Sequence, residues 1–411
     1  MKDSDNLPNL RHLRVFETVA RLESVSQASA LINLSQPAVT QAILNLESKF
    51  GVQLFERRHS GSYLTQFGQL LLFRTKRLFT SIRSALEELF DGLRSNENMN
   101  VDALIAKMTT TQMRCLIAVS ENVSFDDAAR AIGVSRPSLH RAARDFERLV
   151  GRAIYCRGAR GTSTTNKGSA LARRLKLALQ ELNYAVDEIN AHKGVITSRI
   201  SVGVLASSGS FVLGQVIDKF LASYPGARIR VIEEPYEQLL SDLRAGNIDF
   251  LFSVLRRPSW ATDIRETILF KEPYVIVMRP HHPLSKVKSI GRKELANYDW
   301  IVPGRSTPRF LAFEQLFASA KKKAPTAVET TSRSLARALL TMSNRLSLLT
   351  KYEALFEEKL GTLKIIPAKT KLPRRTYGIA TRINWYPTAL QQKFLAMLIA
   401  QGRHAATDAL S

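Results

Sequence analysis

Apolar residues recur at helical spacing near the start of the chain, where Leu13, Phe16 and Val19 define a buried stripe on a helix over 10–22. Ser24 and Gln27 stand at capping-box spacing and open a second helix through Ala28, Leu31 and Ile32. Asn33-Leu34 makes the turn, and Ser35 caps a third helix with Val39, Ile43 and Leu46 as its apolar face. Pro37 is tolerated in its first turn because the N–H groups there have no intrahelical partner, and Gly51 stops it. The stretch VQLFERRHSGSYLT then alternates around Arg57-Arg58-His59 and turns at Ser60-Gly61, which predicts a two-stranded hairpin. Leu72, Phe79, Ile82, Leu86, Leu89 and Leu93, with Thr75 at the one polar step, predict a long helix with a coiled-coil seam.

The pattern then occurs a second time. Sliding the chain by 100 residues aligns 10–71 with 110–171 without a gap, with about 15 identities that include Arg14/Arg114, Ser24/Ser124, Ser35/Ser135, Pro37/Pro137, Glu47/Glu147, Gly51/Gly151, Arg57/Arg157, Thr65/Thr165 and Gly68/Gly168. A duplicated module follows. After Thr165, Leu175, Leu179, Leu182, Val186 and Ile189 repeat the seam.

From Ile200 the pattern changes to strands alternating with helices: ISVGVL, a polar loop at Ser207-Ser208-Gly209-Ser210, a helix to Ser223, ARIRVIEE, a helix from Pro235 to Ala245, and FLFSVL. That alternation implies a parallel sheet. A second set begins with YVIVM at Tyr274 and continues through WIVPGRSTPRF and strands near 326–331, 346–350 and 363–366. TYGIATR at 376–382 supplies a strand that returns to the first set, giving two lobes with a cleft between them.

Composition sharpens this picture. At 411 residues, with 45% hydrophobic and 23% charged residues, the chain has the make-up of a modular globular protein. The net charge of +23 points to a polyanionic partner, yet it is spread as +2, +7, +2 and +12 over residues 1–100, 101–200, 201–300 and 301–411. The N-terminal stretch has two early acids and no apolar run of secretory length, and nowhere does an apolar run reach membrane-spanning length, so a cytoplasmic location and no membrane partner are expected. Cys115 and Cys156 show no metal-binding spacing and read as reduced thiols, and His281-His282 in a Pro-flanked turn reads as a loop. No Walker, GxGxxG or GxSxG motif is present, so neither an enzyme nor a cofactor or metal is expected.

Two helices joined by a tight turn, the second with Ser35, Gln36, Pro37, Thr40, Gln41 and Asn45 at its start and on its polar side, form the arrangement that enters a DNA major groove. Arg57 and Arg58 place basic charge on the hairpin for phosphates, completing a winged helix-turn-helix. The second copy has Arg136, His140, Arg141, Arg144 and Arg157 instead, better suited to phosphate contact, and the alternatives of a second base reader or a copy kept for packing stay open.

The stretch SQPAVTQAILNLESKFGVQLFERR followed by LTQFG resembles the DNA-binding domain of LysR-type transcriptional regulators. The resemblance implies that Gln36, Pro37 and Thr40 begin the recognition helix, that Arg57 and Arg58 belong to the wing, and that the helix from Thr65 serves dimerisation. The region from 198, with Asp249-Phe250 and His282-Pro283-Leu284, resembles the effector-binding domain of the same family, which has the periplasmic-binding-protein fold. Residues 301–310 are more loosely similar to regulators of sugar and aromatic-acid metabolism, and Ser343-Asn344-Arg345 departs from the glycine-rich turn often found in the family.

The expected fold is multidomain α and α/β: winged helix-turn-helix domains at 8–65 and 110–165, linker helices at 66–94 and 166–192, and a connector at 95–109. A two-lobed α/β effector domain follows at 198–405, with lobe I at 198–270 and 372–405 and lobe II at 271–371. Ser207, Ser208 and Gly209, and across the cleft Arg305, Thr307 and Arg309, are candidates for holding a small, anionic effector such as a carboxylate, sugar acid or phosphate. The expected function is a sequence-specific transcriptional regulator that binds double-stranded DNA as a homo-oligomer, dimer or tetramer. The alternative is an architectural DNA-binding protein without a ligand response. In the family, linker helices of two chains pair antiparallel; one chain here owns both, and a connector of about 15 residues is long enough for them to pair in cis.

Overall fold

A computed structural model describes residues 7–59, 61–90, 100–158, 161–205, 209–256, 261–305, 307–318, 324–369 and 372–408. The chain divides into two compact units, one of residues up to Ser198 together with Arg244–Asn247, the other of Arg199–Leu243 and the residues from Ile248.

In the first unit, α1 (Leu10–Leu22), α2 (Val25–Leu31) and α3 (Gln36–Phe50) precede the hairpin of β1 (Phe55–Arg58) and β2 (Gly61–Leu64) and the helix α4 (Gln66–Phe90). A short helix, α5 (Val101–Lys107), capped by Asn100, lies in the segment expected to be a plain connector. The second copy then repeats the order with α6 (Thr110–Glu121), α7 (Phe125–Ala131), α8 (Arg136–Val150), β3 (Tyr155–Gly158), β4 (Gly161–Thr164) and α9 (Asn166–His192).

Local chemistry accounts for both copies. Ser24 Oγ accepts the Gln27 amide and Ser124 Oγ the Asp127 amide, at 3.2 and 3.1 Å. The turns pass through left-handed Asn33 and Gly133, and Gly51 and Gly151 end the third helices at φ of 62° and 64°. Each wing is tied to its recognition helix by one carboxylate: Glu47 Oε1 accepts the Leu54 amide at 2.8 Å, and Glu147 Oε1 accepts the Ile154 amide at 3.0 Å.

Helices α4 and α9 pair within the chain, and the order of their ion pairs makes them antiparallel: Arg74 meets Glu181 and Glu188, Arg77 meets Glu181, and Arg174 meets Glu88. Leu71, Leu78, Ile82, Leu86 and Leu89 face Leu171, Leu175, Leu179, Leu182 and Ile189 in one continuous core. The seam is rotated from the expected register. Leu72 and Phe79 are only half-buried, Val186 is 41% exposed, and Arg74, fully buried, takes a central place. Leu93 lies outside the described residues. Thr110 Oγ1 also donates to the Pro8 carbonyl at 2.9 Å, joining the starts of the two copies.

The second unit opens with β5 (Arg199–Val204), α10 (Ser210–Ser223), β6 (Arg228–Glu233), α11 (Tyr236–Ala245) and β7 (Phe250–Val254). Then come β8 (Ile264–Met278), a 3-10 turn at Pro283–Lys286, α12 (Arg292–Leu295), β9 (Trp300–Val302), α13 (Pro308–Phe317), β10 (Thr326–Glu329) and α14 (Arg333–Met342). The chain finishes with β11 (Ser347–Thr350), α15 (Lys351–Lys359), β12 (Lys364–Ile365), β13 (Arg374–Arg382) and α16 (Ala389–Asp408).

The sheet is parallel where β5 pairs with β6 and β7, but β13 inserts antiparallel between β7 and β8, so the expectation of a purely parallel sheet is corrected to a mixed one. The expected break before Tyr274 is also absent. β8 is one strand that leaves lobe I beside β13 and enters lobe II beside β11 and β12. Asp249 accepts the Ser201 amide at 2.7 Å, fixing β7 against β5. His282 bonds the Asn344 carbonyl and the Leu284 amide through its two ring nitrogens, a loop-fastening role.

Gly68 and Gly168 lie where each long helix crosses the wing behind it. A Cβ there would stand 2.2 Å from the Leu54 carbonyl oxygen or 2.1 Å from that of Ile154. Although alanine is the better helix former, Gly68→Ala will destabilise the first module by about 1–3 kcal/mol, because backbone must move to admit the methyl group. Urea unfolding checks this, with a lower midpoint expected.

Candidate nucleic-acid interface and effector cleft

Helix α3 is held at its start by Ser35, whose Oγ accepts the Ala38 amide at 3.4 Å. Ser35, Gln36, Pro37, Gln41 and Asn45 are exposed, and Thr40 is half-buried beside them. Gln41 Nε2 donates to Asn45 Oδ1 at 3.0 Å, one turn apart on the same face, and Gln36 Nε2 donates to Ser26 Oγ of the preceding helix at 3.3 Å. Uncharged groups able both to donate and to accept match the edges that base pairs show in the major groove. On the wing, Arg58 lies over the Tyr63 ring at 5.4 Å and pairs with Glu56 at 3.1 Å. Arg57 is in the same strand, and its side chain lies outside the described residues.

Helix α8 has the same length, cap and proline as α3. Its exposed face carries Arg136, Arg141, Arg144 and Arg148, and Arg157 is exposed on the wing behind it. Asp126 partly offsets Arg136 at 3.4 Å, and Asp145 offsets Arg148 at 3.2 Å. His140 takes the position of Thr40 but stacks on Phe125, with ring centroids 4.4 Å apart. Burial, then the charges of Arg136 and Arg144, hold its pKa below the ordinary histidine value. His140 thus sits half-buried against Phe125 at the edge of the basic face.

The second unit has a cavity of about 1570 Å³ between its two lobes. Gly209 lines it and caps α10 at φ 64°, with the Phe252 ring so close that a Cβ would approach it to 2.5 Å. Ser207 and Ser208 lie outside the described residues. Thr307 lines the opposite wall and caps α13, accepting the Phe310 amide at 3.2 Å. Arg309 also lines the cavity but is engaged by Glu353 at 2.8 Å. Arg305 is exposed, 3.8 Å from Glu329, and is not among the lining residues.

The sequence reading missed the charged groups that line the inner wall: Glu272, Glu353, Arg333, Arg337 and Arg375. Arg333 and Arg309 share Glu353, and Arg337 pairs with Glu357, so much of this positive charge is already balanced. Glu272 is buried and accepts the Tyr352 amide at 2.6 Å. Burial raises its pKa to about 7, against the opposing effect of that hydrogen bond and with help from the Glu353 charge.

The folded state thus binds this proton more tightly than the unfolded chain. Its stabilising contribution is complete below the ordinary value of 4.5 and is lost as pH rises through about 7. Glu272→Gln mimics the protonated form. It will match the parent near about pH 4 and exceed it by roughly 3 kcal/mol near about pH 8, as read from urea unfolding at the two pH values.

Two family models match the chain. That of the LysR substrate binding domain covers residues 193–403, and that of the bacterial regulatory helix-turn-helix protein, lysR family, matches twice, at 10–69 and 110–169. HTH-type transcriptional regulator GalR of Pseudomonas putida is 29% identical over 377 residues, which span 92% of this chain and 93% of that protein. The uncharacterized HTH-type transcriptional regulator YbhD of Escherichia coli is 26% identical over 71% of this chain and 92% of its own length. A full-length OxyR variant from Pseudomonas aeruginosa shares the fold with a TM-score of 0.54 and 20% identity, covering 72% of this chain and 95% of that one. Among the described residues, no helix is long and apolar enough to cross a membrane.

Proposed function

The chain belongs to the lysR family of bacterial regulatory helix-turn-helix proteins and is a DNA-binding transcriptional regulator with an effector-binding domain, and from that premise we propose a division of labour between its two DNA-binding modules. The first reads base sequence through Gln36, Thr40, Gln41 and Asn45. The second holds phosphates through Arg136, Arg141, Arg144 and Arg157. The observation that carries this reading is the contrast at matched positions of two equal helices: Gln36 and Gln41 in α3 become Arg136 and Arg141 in α8, and Leu44 becomes Arg144. Neutral amides discriminate bases, whereas an arginine cluster neutralises backbone charge whatever the sequence.

One chain with paired linker helices brings two winged modules, so a pair of chains brings four, the number an ordinary tetramer of the family would supply. The regulator acts in the cytoplasm. A small anionic effector in the cleft beside Gly209 and Thr307 biases one arrangement of the lobes over another, and it can do so only through unequal affinity for the two. The two matching helix-turn-helix domains and the effector domain favour a ligand-responsive regulator over an architectural protein.

Genome-wide footprinting with parent, Gln41→Ala and Arg141→Ala chains tests the division. The first substitution will change the preferred sequence. The second will weaken all sites alike and reduce the slope of log affinity against log salt by about 0.9 for each phosphate that is no longer neutralised. A change of sequence preference in Arg141→Ala would make the second module a reader.

A further inference from the structure

The greatest excess of positive charge, +12 over residues 301–411, lies outside both helix-turn-helix modules. The cleft does not account for it, because Arg309, Arg333 and Arg337 are matched there by Glu353 and Glu357. Part of the excess is concentrated in two stretches of lobe II. Residues 279–293 hold Arg279, Lys286, Lys288, Arg292 and Lys293, residues 359–371 hold four lysines, and neither stretch contains a carboxylate.

The fold lays these two stretches together. β12 pairs with the end of β8, setting Lys364 opposite Met278, and Lys364 Nζ donates to the Ser285 carbonyl at 3.3 Å. Ile290 then bridges to Ala368, and the Ile290 carbonyl accepts the Lys369 amide at 3.1 Å. Lys286, Lys288, Lys293, Lys364 and Lys369 are all exposed. Among the described residues, none of the five takes part in an ion pair. The carboxylates that flank the two stretches in sequence are turned to backbone: Glu294 accepts the Gly291 amide, and Glu358 accepts the Ile365 amide at 3.3 Å. Ammonium groups gathered in this way repel one another, and a polyanion laid over them relieves the repulsion.

The make-up of the surface selects the polyanion. Neither stretch contains a Phe, Tyr or Trp that could anchor a protein partner, and lysine is depleted where proteins bind proteins. Phosphates ask for less, namely point charges on flexible stems, which lysine supplies. We propose that this lysine surface of lobe II is a further DNA contact, holding the phosphates of the duplex that flanks the operator and reading no sequence. The occupant is the flank of the same duplex, because a regulator already bound meets it at a far higher local concentration than any free polyanion. This contact holds whichever module reads bases and whatever the cleft binds.

Lys286→Gln, Lys288→Gln and Lys369→Gln together remove three charges and leave the Lys364 bond in place. A control chain with Arg228→Gln, Arg265→Gln and Lys271→Gln removes as many exposed charges elsewhere in the same unit. Full-length parent, variant and control are titrated against the site that the parent footprints most strongly, centred in a long duplex. The lysine variant will bind about tenfold or more weaker than the parent, with a slope of log affinity against log salt lower by about 2–3. It will also lose backbone protection outside the bases that are read, while the preferred sequence stays the same. The control chain will bind like the parent, and arginine at the same three lysine positions will keep the parent's slope. Equal affinity and slope in variant and parent, an equal loss in the control chain, or a changed sequence preference in the variant overturns the proposal. Unchanged DNA binding with loss of transcriptional output also overturns it, and would give the surface to an acidic protein.

Discussion

A single buried arginine organises the DNA-binding half of this molecule. Arg74 is fully enclosed between α4 and α9, where its guanidinium reaches Glu181 at 2.9 Å and Glu188 at 2.6 Å, and Arg77 adds a second bond to Glu181 at 2.9 Å. Enclosing a charge costs several kcal/mol unless partners with good geometry offset it, so the arginine tolerates burial in one register only. Apolar seams alone allow slippage by a turn, whereas this network sets which residues of the two helices face one another.

The network also shows how the arrangement is specified. Arg74–Glu188 and Arg174–Glu88 are images of each other under exchange of the two copies, as expected if the pair descends from two identical helices. Among the residues of this network the symmetry is broken at Arg77 against Leu177 and Ser81 against Glu181. In a pair of α4 helices from two chains, Arg74 and Arg77 would face Ser81, and in a pair of α9 helices Glu181 would face Leu177 and a single arginine. Only the mixed pairing sets both arginines against Glu181. One chain carries both members of that mixed pair, and in this structure they pair with each other, so the two unlike recognition helices stand on one frame. This makes their different chemistry, amides on one and arginines on the other, a property of each chain.

Helices, caps, turns and wings are legible in the sequence because each is encoded within a few neighbouring residues. Ser24, Ser35, Pro37 and Gly51 act locally, and their second copies do the same. What is not legible depends on partners far along the chain. Arg74 looks like surface charge until Glu181 and Glu188, more than a hundred positions away, are brought to it, and for that reason apolar spacing alone points the seam at Leu72 and Phe79 instead of Leu71 and Leu78. The sequence places the start of a new strand at Tyr274, but pairing with β13 carries β8 through Lys271, Glu272 and Pro273. The cleft wall is hidden by the same fact, since Glu272 and Arg375 meet only across that ladder. Helix α5 gives no periodic signal because its seven residues bury only Leu104 and Ile105.

In the regulatory half, β8 threads from one lobe to the other as one strand, and the buried polar wall sits at that crossing. A ligand held there touches the element common to both lobes, so differential binding has a direct mechanical route. The central claim remains that the linker helices pair within one chain. Nitroxide labels attached through Glu88→Cys and Arg174→Cys, in a Cys156→Ser background, report on it directly, because Glu88 and Arg174 form an ion pair across the seam. Dipolar coupling in the doubly labelled chain is predicted to persist undiminished when it is mixed, unfolded and refolded with a large excess of unlabelled protein. Loss of the coupling on dilution would show that the helices pair between chains and would contradict the account.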